Sequence, residues 1–568
     1  MDRLWQKMYE QGVPCDIEYP KGMVVSDILE QAAAKYPNSP ATIFPVAVGS
    51  RMLAGRLTYR DLDQAANRFA NGLIQLGVRQ GDRVALLFPN SPQFIISFFG
   101  ALKAGAVAIA FNPIYTAHEI ERQLNDCGAE TIVTMTKWYP AVKQVQANTR
   151  VTRVITTNIK EYFHPVASLL FTLAREAKDG FRVKLDPKDY SFKLMLQGSS
   201  AAKPNVQIEP EDIALLQYTG GTTGVPKGAM LTHRNLVSNC LQSTAWFTGA
   251  REGDEATLAI IPFFHSYGMQ IAMLLTLKMA STLILFPRFN LQETFLAIDA
   301  YKPTIFPGVP SLYIAIINSP EAHKHDLRSV KFCLSGAAPL PHKVQTGFEM
   351  LSGGRLVEGY GLTESSPLTH ANPLFGERRA GSIGIPVPNT DARIVDPENP
   401  DTVLPAGAVG ELAIKGPQVF QGYWNRPEES VHTLRNGWLI TGDIARMDDD
   451  GFFYIIERKK DMIIVGGYKV FPRDIEEELF KHPKIKEAAV IGVTHPKMGE
   501  VPKAFVVLKE GETATEQEIV DYMKEHLADY KVPRTIEFRD ALPKTIIGKV
   551  LRRQLAEEEM SKREQASA

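Results

Sequence analysis

The 568-residue chain has few cysteines and no long apolar run. Its four cysteines, Cys15, Cys127, Cys240 and Cys333, lie far apart and form no Cys-x-x-Cys pair, which argues against a zinc site or a disulfide framework. We expect buried, reduced thiols. Residues 1–10 mix charged and apolar side chains, unlike a secretory signal, and every apolar run is far shorter than the roughly 20 residues of a membrane helix. These absences predict a cytoplasmic protein.

The chain also lacks a charge imbalance. Its 63 basic and 64 acidic side chains leave a net charge of −1, which provides no global attraction to nucleic acid or to an acidic membrane. Any anion must therefore be bound locally, and no nucleic-acid partner is expected. Apolar residues make up 44% and charged residues 22%, as in ordinary globular proteins, but the length predicts several subdomains.

Strand-like and helix-like stretches alternate in the first part of the chain. Thr58 with Asp61 forms a helix-start pattern, residues 83–88 and 107–111 predict strands, and residues 93–104 between them predict a helix. This alternation favours an α/β fold with parallel sheets covered by helices on both faces.

The last part of the chain has a different pattern. Strands are predicted near residues 487–493 and 504–508, and Thr515 with Glu518 marks the start of a helix. We therefore predict a small α+β C-terminal domain beside a large N-terminal region of several subdomains.

The most informative stretch, residues 218–228, is Tyr-Thr-Gly-Gly-Thr-Thr-Gly-Val-Pro-Lys-Gly. It follows a short apolar run, residues 213–217, that predicts a buried strand, so the loop leaves the edge of a sheet. Glycines let backbone N–H groups point toward one centre, threonine hydroxyls add donors and Lys227 adds charge, which together suit a polyphosphate. Pro226 and Gly228 replace the residues that flank the Lys of a kinase or GTPase loop, which excludes that class.

This stretch resembles the phosphate loop of the adenylate-forming enzymes, the superfamily of acyl-CoA synthetases, peptide-synthetase adenylation domains and firefly luciferase. Further motifs follow in the family's order as far as Arg552, and the whole is most like bacterial long-chain fatty acid–CoA ligases. The resemblance implies ATP, Mg²⁺ and coenzyme A, an acyl-adenylate intermediate, and the products acyl-CoA, AMP and pyrophosphate. It implies that the phosphates are held by Thr219, Gly220, Gly221, Thr222, Thr223 and Lys227.

Two motifs in the middle of the chain resemble the family's nucleotide site. Residues 332–340 are similar to a strand and tight turn that line the adenine, and residues 359–364 read Gly-Tyr-Gly-Leu-Thr-Glu. The resemblance implies that Tyr360 stacks on adenine, that Thr363 binds phosphate and that Glu364 holds Mg²⁺, a cation that prefers carboxylate and phosphate oxygens. The nucleotide-binding residues implied around the adenine are Gly336, Ala337 and Ala338, which line it, and Gly359, Tyr360 and Gly361.

The acyl side of the site is implied by one aromatic–histidine pair. A lone His in an apolar run is more often a hydrogen-bonded core residue. Phe264 and His265, however, match the family's pair beside the carboxylate pocket and the thiol tunnel, which makes His265 a candidate catalytic residue. Some long-chain members carry a gating Trp where Met269 stands here, so the chain-length preference stays open.

The C-terminal motifs imply the ribose site and a moving domain. Asp443, which follows a predicted strand, is the expected ribose clamp, and Arg458 is implied to contact the same sugar. Lys460 matches the hinge of a domain rotation, so the implied domains are residues 1–459, which bind ATP and the acyl substrate, and residues 460–568, which move. Within residues 542–549 Lys549 matches the catalytic Lys. Three residues are implied to face a pantetheine tunnel: Gly466, Gly467 and Tyr468.

The favoured function is ligation of a medium- to long-chain fatty acid to coenzyme A. Residues 159–206 support it weakly, because they resemble an insertion of long-chain relatives. Their apolar piece, residues 166–173, precedes a basic stretch and fits either a membrane-surface contact or a covering helix with a solvated face. The alternatives are an aromatic or alicyclic acid substrate and an inactive nucleotide-binding protein. Both monomer and homodimer remain open.

Overall fold

The computed structural model describes residues 3–219, 226–465, 468–495, 498–545 and 550–567. It divides into two compact units. Unit 1 comprises Met1–Asp391 and Ile414–Leu439, and unit 2 comprises Ala392–Ala413 and Ile440–Ala568. The predicted domain boundary at Lys460 stays a prediction.

Both units combine helices with strands. The α-helices are α1 (Val25–Lys35), α2 (Tyr59–Gln75), α3 (Pro92–Lys103), α4 (Ala117–Cys127), α5 (Tyr139–Gln146), α6 (Pro165–Ala174), α7 (Phe192–Gly198), α8 (His233–Trp246), α9 (Leu275–Lys278), α10 (Leu291–Tyr301), α11 (Pro310–Ile317), α12 (His342–Ser352), α13 (Pro427–Thr433), α14 (Pro472–Lys481), α15 (Glu516–His526) and α16 (Arg552–Ser567). Short 3₁₀ helices span Leu4–Met8, Ile159–Tyr162, Ala322–Lys324, Leu327–Ser329, Thr363–Ser365 and Asp529–Lys531, and a π-helix spans Gly268–Leu274.

The strands are β1 (Pro40–Val48), β2 (Arg51–Thr58), β3 (Arg83–Leu87), β4 (Val107–Phe111), β5 (Thr131–Met135), β6 (Arg153–Thr157), β7 (Tyr190–Ser191), β8 (Ile213–Thr219), β9 (Lys227–Thr232), β10 (Ala256–Ala259), β11 (Thr282–Leu285), β12 (Phe332–Ser335), β13 (Arg355–Gly361), β14 (Leu368–Ala371), β15 (Ile385–Pro386), β16 (Asp391–Val395), β17 (Val409–Lys415), β18 (Leu434–Arg435), β19 (Trp438–Met447), β20 (Phe453–Arg458), β21 (Ile463–Val465), β22 (Tyr468–Val470), β23 (Ile485–His495), β24 (Gly499–Leu508) and β25 (Thr535–Phe538).

A seven-stranded sheet in the order β7-β6-β5-β3-β4-β8-β9 forms the centre of unit 1. All its neighbours pair in parallel except β8 and β9, which are antiparallel. Along β3, Val84 and Leu86 belong to the core that includes α3, whereas Ala85 and Leu87 belong to the core that includes α4. Because successive side chains of a strand point to opposite faces, both faces of the sheet are covered. The predicted α/β class is confirmed.

Local sequence signals begin several of these helices as predicted. The Thr58 side chain accepts from the Asp61 N–H while the Asp61 carboxylate accepts from the Thr58 N–H, so a complete capping box starts α2. At α15, the Thr515 hydroxyl accepts a hydrogen bond from the Glu518 N–H. These caps satisfy backbone donors that the first helical turn leaves without partners.

Two smaller sheets complete unit 1. The strands β10, β11 and β1 pair in parallel, and β2 joins antiparallel to β1. The other sheet has the order β12-β13-β14-β15, with β12 and β13 parallel. The β12 and β13 strands end at the motifs that resemble the nucleotide site, which places those motifs at one edge of one sheet.

Unit 2 contains the predicted α+β region. The sheet of this region has the order β22-β21-β24-β23, with β25 beside β24, and α14 and α16 contact β23. The two strands predicted near residues 487–493 and 504–508 are β23 and β24, which pair antiparallel. A buried apolar cluster that includes Ile475, Phe505 and Met523 joins the helices to the sheet.

Three of the four cysteines are buried and free, as predicted, but Cys15 is exposed. Its prediction as a buried thiol is wrong because it lies in an irregular N-terminal segment between a 3₁₀ helix and α1, outside the packed cores. Among the described residues, no helix is both long enough and apolar enough to cross a membrane.

Candidate active site

The two ends of the predicted phosphate loop are fixed by strand pairing. Thr219 ends β8 and Lys227 begins β9, and these two residues lie opposite each other in the antiparallel ladder. The β9 strand is the last of the seven-stranded sheet, so the loop closes a hairpin at the sheet edge. The loop residues Gly220, Gly221, Thr222 and Thr223 lie outside the described residues, and their predicted role stays a prediction.

The side chain of Lys227 is held by two partners from one distant segment. Its ammonium forms an ion pair with Glu429 on α13 and lies 5.4 Å from the centroid of the Tyr423 ring. Lys227 is 18% exposed and Glu429 is 36% exposed. The predicted phosphate-binding Lys is therefore partly exposed and lies next to a carboxylate of opposite charge.

Glu364 and Thr363 occupy a 3₁₀ helix that begins shortly after β13 ends. The Tyr423 hydroxyl donates to Glu364 Oε1 over 2.6 Å, and the Phe420 N–H donates to the Glu364 carbonyl over 2.8 Å. Burial and the neighbouring Glu364 carboxylate both raise the pKa of Tyr423, which keeps this phenol a donor. Thr363 Oγ1 lies 3.3 Å from Ser266 Oγ.

The predicted adenine-lining residues combine accessible and tightly packed positions. Tyr360 is half-buried, and its ring centroid lies 5.9 Å from that of His370 in an edge-on contact. A Cβ at Gly361 would lie 1.8 Å from the Pro367 carbonyl oxygen, so the fold itself requires glycine there. Ala337 is exposed and adopts φ of 66°, and Gly336 lies against the buried ring of Tyr267.

Gly359 and Ala338 complete this set. A Cβ at Gly359 would lie 2.8 Å from Leu334 Cδ1, and Ala338 is half-buried in the turn after β12. Internal packing thus explains the two glycines of the second motif, Gly359 and Gly361, without reference to a ligand.

His265 is half-buried and precedes the π-helix Gly268–Leu274. Its Nδ1 accepts from the Tyr267 N–H over 3.3 Å, which fixes the ring orientation and directs Nε2 away from that turn. The carbonyl of the preceding Phe264 accepts from Gln217 on β8 over 2.7 Å, so this pair is tied to the strand that leads into the phosphate loop. Met269 is fully buried inside the π-helix, a geometry that often marks functional positions.

In unit 2 the two predicted ribose residues are neighbours. Asp443 on β19 lies opposite Arg458 on β20, and Arg458 Nε lies 2.8 Å from Asp443 Oδ1. The prediction that Asp443 follows its strand is wrong, because β19 continues to Met447 through its pairing with β20. Arg458 is the last residue of β20.

The remaining predicted residues of unit 2 are only partly described. Lys460 follows the end of β20 and is exposed, and Tyr468 on β22 stacks on Tyr530 with ring centroids 4.8 Å apart. The predicted residues Gly466, Gly467 and Lys549 lie outside the described residues. Their roles stay predictions.

Sequence reasoning missed Tyr423 and Glu429, which contact the predicted Mg²⁺ ligand and the predicted phosphate Lys. Both lie in residues 420–430, Phe-Gln-Gly-Tyr-Trp-Asn-Arg-Pro-Glu-Glu-Ser, a stretch with no phosphate-binding pattern. An acidic pair after Arg-Pro predicts only an ordinary helix start. Their contacts arise from folding alone.

Comparison with known proteins finds family matches along most of the chain. A family model described as AMP-binding enzyme matches residues 29–424, and one described as AMP-binding enzyme C-terminal domain matches residues 474–549. A long-chain-fatty-acid–CoA ligase of Bacillus subtilis (strain 168) is 43% identical over 557 residues, which cover 98% of this chain and 98% of that protein. A feruloyl-CoA synthase of an Amycolatopsis species is 35% identical over 92% of this chain and 98% of that protein.

Solved structures agree with this similarity. The anthranilate CoA ligase AuaEII in complex with anthranoyl-AMP superposes with a TM-score of 0.83 and 29% identity, covering 95% of this chain and 98% of that chain. ATP-bound MatB from Rhodopseudomonas palustris gives a TM-score of 0.82 and 29% identity over 94% of this chain and 99% of that chain.

Proposed function

The chain belongs to the AMP-binding enzyme family, and on that basis we propose that it activates a long-chain fatty acid with ATP and transfers the acyl group to coenzyme A. The observation that carries this proposal is the similarity, over nearly the full length of both chains, to long-chain-fatty-acid–CoA ligases. The products are acyl-CoA, AMP and pyrophosphate.

The first half-reaction gives the carboxylate a good leaving group. A carboxylate oxygen attacks the α-phosphorus of ATP, an O–P bond forms, and the bond to pyrophosphate breaks. Negative charge develops on the α-phosphoryl oxygens, where a fixed ammonium from Lys549 stabilises the transition state more than the ground state. The resemblance assigns the polyphosphate to Lys227, the adenine to Tyr360, and the ribose to Asp443 with Arg458.

Mg²⁺ suits the donors that this chain offers. Proteins usually bind this ion through one or two carboxylates together with substrate phosphates and water. Glu364 would supply the carboxylate, with the Thr363 hydroxyl beside it, and within the described residues there is no group of three His, Cys, Asp or Glu side chains that would form a cage made of protein alone. When bound, the ion neutralises phosphate charge.

The second half-reaction transfers the acyl group to sulfur. The thiol of coenzyme A attacks the acyl carbonyl, a C–S bond forms, the C–O bond to AMP breaks, and the thiol proton leaves. The resemblance assigns this step to a second arrangement in which residues 460–568 rotate about Lys460, withdraw Lys549 and present Gly466, Gly467 and Tyr468 to the pantetheine arm.

Release of AMP in the presence of ATP, Mg²⁺ and coenzyme A tests the substrate class. A panel of straight-chain, aromatic and alicyclic acids should give its maximum with long straight chains. Activity confined to ring acids would support the alternative substrate class, which the similarity to feruloyl-CoA synthase keeps open. Absence of ATP–pyrophosphate exchange with every acid would instead indicate an inactive nucleotide-binding protein.

Lys549→Ala tests the assignment of the two half-reactions. It should abolish adenylate formation but preserve thioester formation from a supplied acyl adenylate. Equal loss of both half-reactions would contradict the two-arrangement mechanism.

We further propose that α6 gives the protein a peripheral contact with an anionic membrane. Val166, Leu169, Leu170 and Leu173 recur at helical spacing on one face and are between 43% and 76% exposed. The opposite face is anchored, because Ala167 is buried and the Phe171 ring lies 5.5 Å from that of Phe163.

The charge around α6 complements an anionic surface. The helix itself has no charged residue, and residues 159–206 carry eight basic and five acidic side chains. Arg175, Lys178, Arg182 and Lys184 follow the helix and are exposed. An apolar helix face beside basic side chains is the arrangement by which interfacial helices bind anionic lipid.

Co-sedimentation with vesicles tests this contact. The wild type should sediment with vesicles of phosphatidylcholine and phosphatidylglycerol, and Leu169→Ser/Leu173→Ser should lose most of that binding. Met350→Ser is the matched control, because Met350 on α12 is 83% exposed but lies on a different helix. Equal binding by both variants, or none by the wild type, would refute the role of α6.

A further inference from the structure

Folding brings an acidic side chain into contact with Lys227, the residue that is predicted to bind polyphosphate. Glu429 and Lys227 form an ion pair although 201 residues separate them in the chain. The Lys227 backbone is fixed by pairing with Thr219, whereas Glu429 lies near the start of the short helix α13. Only the two side chains need to move for the pair to separate.

Glu429 has a second cation within reach. Arg426 Nε lies 3.8 Å from Glu429 Oε1, whereas Lys227 pairs with the other carboxylate oxygen, Oε2. Arg426 is itself held by Asp126, whose Oδ1 lies 3.0 Å from Arg426 Nη2. Glu429 therefore keeps a favourable charge partner when Lys227 leaves it, which lowers the cost of exchange.

The pair is also exposed enough to be exchanged. Ion pairs between partly exposed side chains contribute little net stability, because water solvates the separated charges well. A polyphosphate brings several negative charges to the same ammonium, and a phosphate oxygen in contact with Lys227 would lie close to the Glu429 carboxylate. Like charges at that separation repel each other.

We propose that Glu429 is an internal competitor for polyphosphate at Lys227. It neutralises the ammonium while the site is empty, is displaced when ATP binds, and pairs with Lys227 again as pyrophosphate leaves. The inference rests on the proposed role of Lys227 in holding polyphosphate. It adds that Glu429 weakens the binding of ATP and of pyrophosphate, and thereby favours product release.

Glu429→Gln tests the competition, because it removes the charge and keeps the size of the side chain. Titration with ATP and separately with pyrophosphate, in the absence of any acid substrate, should show three- to tenfold tighter binding of both. The gain should shrink at 0.5 M salt, where charges are screened over a few ångströms. Glu428→Gln is the matched control: Glu428 is the adjacent exposed residue of α13, and its binding constants should stay within twofold of the wild type.

Unchanged or weaker binding by Glu429→Gln would overturn the proposal, since weaker binding would mean that Glu429 orients Lys227 for the ligand. Glu429→Ala, checked by circular dichroism and thermal unfolding, gives a second test if the Gln variant folds poorly. Lys227→Ala separates the two proposals: if it binds ATP as tightly as the wild type, the role of Lys227 itself fails. The acid-free titration is independent of which acid the enzyme activates.

Discussion

Two ionic clusters of this protein use similar side chains in different surroundings. The first, the Lys227 cluster of unit 1, consists of Asp126, Lys227, Glu364, Tyr423, Arg426 and Glu429. The second, the Arg552 cluster of unit 2, consists of Glu457, Asp461, Glu476 and Arg552. Each joins residues from distant parts of its unit.

The Arg552 cluster holds two buried carboxylates, and Arg552, which is 25% exposed, pairs with both of them. Arg552 donates to both carboxylate oxygens of Glu476, at 3.1 Å and 2.5 Å, and Glu476 also accepts from the Val490 N–H. The Glu476 and Glu457 side chains are 11% and 4% exposed. Burial raises the pKa of Glu476, and the surrounding carboxylates raise the pKa of Arg552 against the effect of burial.

In the Lys227 cluster the carboxylate is the more exposed partner, because Glu429 is 36% exposed and Lys227 is 18% exposed. The two clusters therefore differ in the burial of their carboxylates, since Glu476 is 11% exposed and Glu429 is 36% exposed. In a poorly solvated region a pair cannot be opened without a large cost, so it supports the fold. At the surface the same chemistry costs little to rearrange and is available to a ligand.

Removal of one charge from the buried cluster should have the largest effect. Arg552→Met leaves Glu476 buried without its cation, and we expect unit 2 to lose about 3 kcal/mol of unfolding free energy. Urea denaturation followed by circular dichroism measures it. Arg553→Met is the control, because Arg553 pairs with Glu557 on the exposed face of α16, and it should cost less than about 0.5 kcal/mol. Equal costs would show that burial does not separate the clusters.

Acid should destabilise unit 1 through two buried histidines, His233 and His370. Desolvation lowers the pKa of His233 to about 4 and that of His370 to about 3. The unfolded chain therefore binds these protons first, and stability is lost as the pH falls below the ordinary value of about 6.5. Each imidazole should cost about 1.4 kcal/mol between pH 7.5 and 5.5.

Urea denaturation at both pH values measures this loss. His233→Gln should reduce the difference between the two pH values by about 1.4 kcal/mol, whatever it does to stability at pH 7.5. A pH difference that the substitution leaves unchanged would contradict the assignment.

Tyr423→Phe should have a smaller effect, confined to ligand binding. It removes the hydrogen bond to the Glu364 carboxylate but keeps the ring beside Lys227. We expect kcat/KM for Mg·ATP to fall about tenfold, in keeping with the loss of a partly exposed hydrogen bond to a charged group. Mg²⁺ titrations of ATP–pyrophosphate exchange measure it. A fall of the same size with Tyr454→Phe, whose hydroxyl bonds Asp448 in unit 2, would indicate a general effect.

The smallest expected effect is the change in stability that Glu429→Gln causes. Because the pair with Lys227 is partly exposed, the unfolding free energy should change by less than about 0.5 kcal/mol. Denaturation of the same preparation used for ATP titration measures it. A loss above about 2 kcal/mol would place Glu429 in the same structural class as Glu476.

Much of the fold followed from local patterns. The capping pair Thr58 and Asp61 specifies a helix start because both partners lie within one turn. The strands β3 and β4 were predicted from apolar residues that a doubly covered parallel sheet needs. Strand ends were less predictable: Asp443 lies inside β19 because pairing with β20 extends the strand, and that pairing is not visible in the residues around Asp443.

The sequence by itself determined the family, the fold class and the residue types of the candidate site, because each motif places its donors, glycines and charges within a few residues. Only the tertiary structure decided which charges face each other. Glu429 meets Lys227, Tyr423 meets Glu364 and Arg552 meets Glu476 across long separations in the chain. Such contacts depend on how helices and strands from distant parts of the chain pack together. A local pattern of charge does not show which distant residue will lie beside it or how deeply the pair will be buried.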